Sequence, residues 1–142
     1  MINPITEVCK FNQSAGLLDK PYNDFLESSM QIEEALEGFN LDTLPNQIGG
    51  EPKDVSKQLV DTLDFIGLDV DRLDKAINAW ILSVGAMAKL KLTPSQIERA
   101  ILAVNTANLA KLNMSKDEYG KLLKPKDFVG PEPELQKILD ER

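Results

Sequence analysis

Apolar residues in this chain recur at intervals of three and four and rarely at two. Spacing near 3.6 gathers side chains on one side of a helix, whereas a half-buried strand needs strict alternation. No segment alternates over a strand's length, and no internal repeat is present. The expected fold is therefore all-α: a four- to five-helix bundle forming a single domain over residues 1–142, with 113–142 as an irregular, extended tail. At 142 residues and 42% hydrophobic, the chain has the material for one core.

Punctuation places the helices. Asn3-Pro4 offers a cap and a first-turn proline for a short helix running to about Ala15 and stopped by Gly16. Pro21 opens a second, with Phe25, Ile32, Leu36 and Phe39 on one stripe and Gly38 and Asn40 at its end. Residues 41–53 hold Pro45, Gly49, Gly50 and Pro52 and read as a long loop. Asp54 is expected to cap a third helix that ends before Gly67. The fourth and longest spans about Val70 to Leu90, its Ala76, Ile77, Trp80, Val84 and Met87 facing the core. Thr93-Pro94-Ser95-Gln96 is a capping box with proline in the first turn, so a fifth helix starts there and continues to about Leu112. A short last helix is expected from Glu134.

Composition excludes several chemistries. With no histidine and one cysteine, Cys9, neither a His-based nucleophile system nor a His zinc site can be built, and no intrachain disulfide or CxxC pair exists. A net charge of −7 argues against a nucleic-acid backbone as the main partner, which calls for clustered Lys and Arg. The start MINPITEVCK lacks the pattern of a signal peptide, and the apolar stretch Ala76 to Ala88 is 13 residues long, short of the roughly 20 that a bilayer requires. A cytoplasmic protein without a membrane partner is the expectation.

Four groups carry chemical content. On the second helix Glu33 and Glu37 lie one turn apart with Glu34 beside them, and no Lys or Arg stands within a turn. Such a group is either a solvated acidic face or a hard-cation site, since divalent ions want several carboxylate oxygens. On the fourth helix Asp71, Asp74 and Asn78 fall within roughly 60° of one another. Acids in a first turn also simply favour the helix dipole. Asp61 and Asp64 form a DxxD on the third helix, a rival second pair. On the fifth helix Asn108 and Lys111 place an amide and an ammonium one turn apart, a combination suited to phosphate oxygens as well as to an ordinary polar face. Asn113 and Lys116 repeat that spacing.

The order FNQSAGL, QIEEALEGF, SVGAMAKLKL, VNTANLAK and GKLLKPKDF resembles the all-α nucleoside-triphosphate pyrophosphohydrolases. The closest likeness is to the MazG-like and phosphoribosyl-ATP pyrophosphohydrolase-like proteins, small phage-type members especially. The resemblance covers nearly the whole chain and rests on the order of the motifs. It implies magnesium- or manganese-dependent hydrolysis of a nucleotide between its α and β phosphates, with pyrophosphate released, in a homodimer or homotetramer. By the same resemblance Glu33, Glu34 and Glu37 hold the metal, and Glu33 and Glu34 are the catalytic carboxylates. Asp74 and Asn78 supply the second metal motif, with Asp61 and Asp64 as the runner-up placement. Asn12, Asn108, Lys111 and Lys124 contact the substrate. Asn78 departs from the pattern, which has an acid there: its carbonyl can ligate magnesium but brings no charge. The alternative is a helical binding protein that keeps the fold without the reaction.

Overall fold

A computed structural model describes residues 2–43, 50–65, 67–112, 114, 116–118, 123 and 127–142. These are all-helical: α1 (Pro4–Ser14), α2 (Asp24–Leu36), a 3-10 turn (Leu41–Thr43), α3 (Pro52–Asp61), α4 (Asp69–Lys89), α5 (Pro94–Leu109) and α6 (Glu132–Asp140). They divide into two compact units, one formed by residues 1–21 and 72–142, the other by residues 22–71.

In the larger unit α5 packs against both α1 and α6, and Ala15, Ile97, Ala100 and Ile138 are buried there. Both ends of α1 and the start of α5 follow from local chemistry. The Asn3 side chain accepts from the Ile5 and Thr6 amides, and Gly16 takes the positive φ that ends α1. At α5 the Thr93 hydroxyl accepts from the Gln96 amide at 3.3 Å while Gln96 Oε1 accepts from the Thr93 amide at 2.8 Å, the reciprocal arrangement expected of a capping box. An Arg99–Glu141 ion pair ties α5 to the end of α6, and the Arg142 guanidinium donates to the Leu90 carbonyl at 2.9 Å.

The smaller unit is the α2–α3 pair. Val55 and Val60 are its buried apolar side chains, joined by Ser29 and Ser56. Each serine hydroxyl donates to a carbonyl of its own helix, Ser29 to Leu26 at 3.1 Å and Ser56 to Lys53 at 2.8 Å, so two small polar groups are buried without losing a hydrogen bond.

Three expectations need correction. α2 begins at Asp24 rather than Pro21, because Asn23 caps it by accepting from the Leu26 amide. α3 begins at Pro52 rather than after Asp54: a proline in the first helical turn loses no hydrogen bond and has its φ already set, so Pro52 starts the helix instead of forbidding it. The apolar face of α4 is not core, for no residue of that helix is buried. A capping box satisfies two otherwise orphaned amides, so Thr93→Ala is expected to cost about 1 kcal/mol of unfolding free energy, measured by urea denaturation.

Candidate functional site

The acidic group of the smaller unit sits at the C-terminal end of α2. The Glu37 amide donates to the Glu33 carbonyl at 3.1 Å and Glu37 keeps helical dihedrals, so Glu33 and Glu37 share a face one turn apart, with Glu34 adjacent. Glu34 and Glu37 are exposed, Glu33 half-buried. No basic residue occupies the last turn of α2. Carboxylates there stand at the negative end of the helix dipole, where each is disfavoured by about 0.3–1 kcal/mol before salt screening. Among the described residues the side chains of Glu34 and Glu37 have no hydrogen bond or ion pair. Their hard, charged oxygens suit magnesium or manganese. Among the described residues no three acidic side chains are gathered closely enough to enclose a cation.

On α4 Asp74 and Asn78 are exposed, and the Asn78 amide donates back to the Asp74 carbonyl at 3.0 Å. That bond occupies the Asn78 nitrogen and leaves its oxygen outward. The rival pair Asp61 and Asp64 does not share a helical face: Asp61 is the last residue of α3, and Asp64 lies beyond its cap, Thr62.

The substrate-contacting candidates fall in the larger unit. Asn12 on α1 and Asn108 on α5 line one cavity of about 500 Å³, together with Phe11, Met87, Asn105 and Leu139 among others. No described side chain lining it is charged. The Asn12 amide donates to the Val8 carbonyl at 2.8 Å. Lys111 Nζ donates to Asn108 Oδ1 at 2.7 Å and stands 5.2 Å from the centre of the Phe128 ring, within cation–π range. The sequence pair Asn108 and Lys111 is thus brought together, with Lys111 beside the cavity wall. Lys124 and Asn113 lie outside the described residues.

Asn105 escaped the sequence reading. It is 5% exposed, lines the cavity, and has no hydrogen-bond partner among the described residues. The signal was its spacing: Asn105 continues the i, i+4 series of Ile97 and Ile101, a polar residue on the apolar stripe of α5.

Compared with known protein families, curated proteins and solved structures, the chain matches none of them.

The cavity wall contributed by α6 is held by the Arg99–Glu141 pair, a two-pronged contact at 2.5 and 2.9 Å. Hydrogen bonding from Arg99 holds the Glu141 carboxyl below its ordinary range. A depressed folded-state pKa gives stability that is present above the unfolded value and lost as pH falls through the folded one. Glu141→Gln is therefore expected to lower the melting temperature at neutral pH, the gap from wild type closing as the buffer is taken down through the carboxylate range. A gap that persists in acid would show that the pair is not its source.

Proposed function

We propose that the protein is a MazG-like, magnesium-dependent nucleotide pyrophosphohydrolase, cleaving a nucleoside triphosphate between its α and β phosphates and releasing pyrophosphate. The observation that carries this reading is the acidic end of α2: Glu33, Glu34 and Glu37 stand in its last turn and cap, and that turn itself holds no basic residue. A divalent cation would relieve both the dipole and the like-charge repulsion. Under this reading the carboxylates of the Glu33, Glu34 and Glu37 group would take the ion, Asp74 and Asn78 being the second motif that the family resemblance implies, and manganese could replace magnesium. The bound ion supplies Lewis acidity and neutralises phosphate charge. Glu33 or Glu34 would accept the one proton of the attacking water at a carboxylate oxygen. Lys111 and Lys124 offset phosphate charge, while Asn12 and Asn108 orient the nucleotide.

Asn78 favours a second reading, a helical binding protein without the reaction: it carries no charge, and its amide is engaged by the Asp74 carbonyl.

Among the described residues no helix is long and apolar enough to cross a membrane, so the exposed face of α4 calls for another cover. Val70, Leu73, Ile77, Trp80 and Val84 follow the alternating three-and-four spacing of a coiled-coil seam, about 21 Å long at 1.5 Å per residue. Val70 is 70%, Leu73 62% and Trp80 53% exposed. The first turn of α4 is acidic, with Asp69 and Asp71, and the last basic, with Lys89. An antiparallel second copy of α4 sets each acidic end against a basic one, and the seam supplies the apolar area that a homodimer needs. The site then works in a cytoplasmic homodimer, with a homotetramer arising if two dimers pair.

Two experiments test these readings. Pyrophosphate release from a panel of nucleoside triphosphates, measured against magnesium concentration, is expected to fall about 10²–10⁴-fold in Glu34→Gln. In Asn78→Asp it should rise or saturate at lower magnesium, while creation of activity from none by that substitution would favour the binding protein. Absence of release from wild type and from Asn78→Asp alike would sink the hydrolase. Separately, Trp80→Glu is expected to weaken self-association by about 10²-fold or more. Light scattering that finds wild type monomeric at micromolar concentration would overturn the dimer.

A further inference from the structure

The cavity of the larger unit combines three properties that rarely coincide by chance. Its described walls are apolar and uncharged, with Phe11, Met87 and Leu139 among them. It is of a size that holds a small organic ligand, at about 500 Å³. It also contains a largely buried amide: Asn105 is 5% exposed, and its side chain has no hydrogen bond to another described residue. No described buried polar atom is both sealed from solvent and unpartnered, so the Asn105 amide keeps an accessible edge, and the space it lines is the cavity.

These properties select the occupant. An aliphatic chain would fill the volume but leave the amide unsatisfied. A charged group would lose its hydration against walls that offer no counter-charge. A side-chain amide presents a donor and an acceptor side by side, and its complement is a neutral ring whose edge carries an acceptor and a donor in the same spacing. Flat aromatic faces are accommodated by apolar and aromatic walls. Asn108, also lining the cavity, accepts from Lys111 at 2.7 Å, so a cation stands at one margin of an otherwise uncharged space.

We infer that this cavity is a nucleobase pocket in which Asn105 reads the hydrogen-bonding edge of the ring. The ring lies against the apolar walls, and a charged tail leaves the cavity on the side of Asn108 and Lys111. The inference deepens the nucleotide reading and rests on it for the phosphate-bearing tail, whereas the ring is assigned from the cavity itself.

The test uses nucleosides, which carry the ring without phosphates, and no divalent metal, so that the acidic residues of α2 have no part in the result. The full-length protein is titrated with the four deoxynucleosides while the side-chain amide resonances of asparagine are followed by NMR. Asn105→Leu, which roughly keeps the volume and removes the amide, serves as the comparison. At least one nucleoside is expected to move the Asn105 amide protons in wild type, and Asn105→Leu to bind that nucleoside about 10- to 100-fold more weakly. Three results would each overturn the pocket: no nucleoside perturbs Asn105 at millimolar concentration, Asn105→Leu binds as well as wild type, or octanoate occupies the cavity where nucleosides do not. Triphosphate hydrolysis in a protein whose Asn105 ignores nucleosides would remove the pocket alone. Nucleoside binding in a protein that releases no pyrophosphate would remove the hydrolase alone.

Discussion

Burial of short helices against α5 is the interaction on which the larger unit depends. α1 has 11 residues and α6 has 9, and isolated helices below about 12–15 residues are marginal in water. Neither can persist on propensity alone, so each must gain its stability from the side chains it covers. α5 supplies the surface: it has 16 residues, a capping box fixes where it starts, and Ile97 and Ala100 are buried on it. Ile138 of α6 is buried in the same unit, and the Arg99–Glu141 pair sets the far end of α6 against α5. The surface that stabilises α1 and α6 is also the one that lines the cavity, so the fold and any ligand compete for the same apolar area.

Elsewhere apolar material exceeds what the chain can cover. Two helices cannot enclose a core, and the α2–α3 pair buries only Val55 and Val60 among its described apolar side chains, while Phe39, Leu63, Phe65 and Leu68 of the same unit stay exposed. Hydrophobic burial is the main favourable term in folding, at about 25 cal/mol per Å², so a small unit with this balance contributes little by itself. α4 shows the same imbalance at greater length, for its seam is ordered by the helix and left without a cover. Under the proposed function a second copy would cover the seam without any change in the chain's own fold.

Much of the fold was legible because helix signals are local. Period, Asn3-Pro4 and Thr93 to Gln96 act within a turn or two, and the structure has helices where those signals stand. The misplacements have local causes too. Pro21 reads as a helix opener and Pro52 as a loop residue, yet Asn23 caps α2 beyond the first, while Pro52 itself occupies the first turn of α3. What local reasoning could not decide was cover. An apolar stripe on α4 says that something must pack there, but not that the something belongs to the same chain. The site divides the same way. The spacing of Asn108 and Lys111 announced their contact, whereas the cavity shared by Asn12, Asn105 and Asn108 is created by packing α1 onto α5. An asparagine on an apolar stripe becomes informative only when the packing shows whether it has a partner.

Magnitudes decide how the acidic end of α2 bears on stability. Like charges one turn apart cost about 0.2–0.5 kcal/mol and adverse dipole placement about 0.3–1 kcal/mol per residue, and Glu34 and Glu37 are exposed, so salt and water reduce both. Against a typical unfolding free energy of about 5–15 kcal/mol the penalty is tolerable. The arrangement therefore does not require a cation in order to fold, and a chelator should leave the helices intact. What the arrangement does supply is a standing preference for positive charge. Under the proposed function that preference is spent on binding the ion, whereas the uncharged cavity leaves recognition of the ring to shape and to one amide. Under that reading the two tasks call on different chemistry in different helices, carboxylates at the end of α2 and an apolar pocket beside α5.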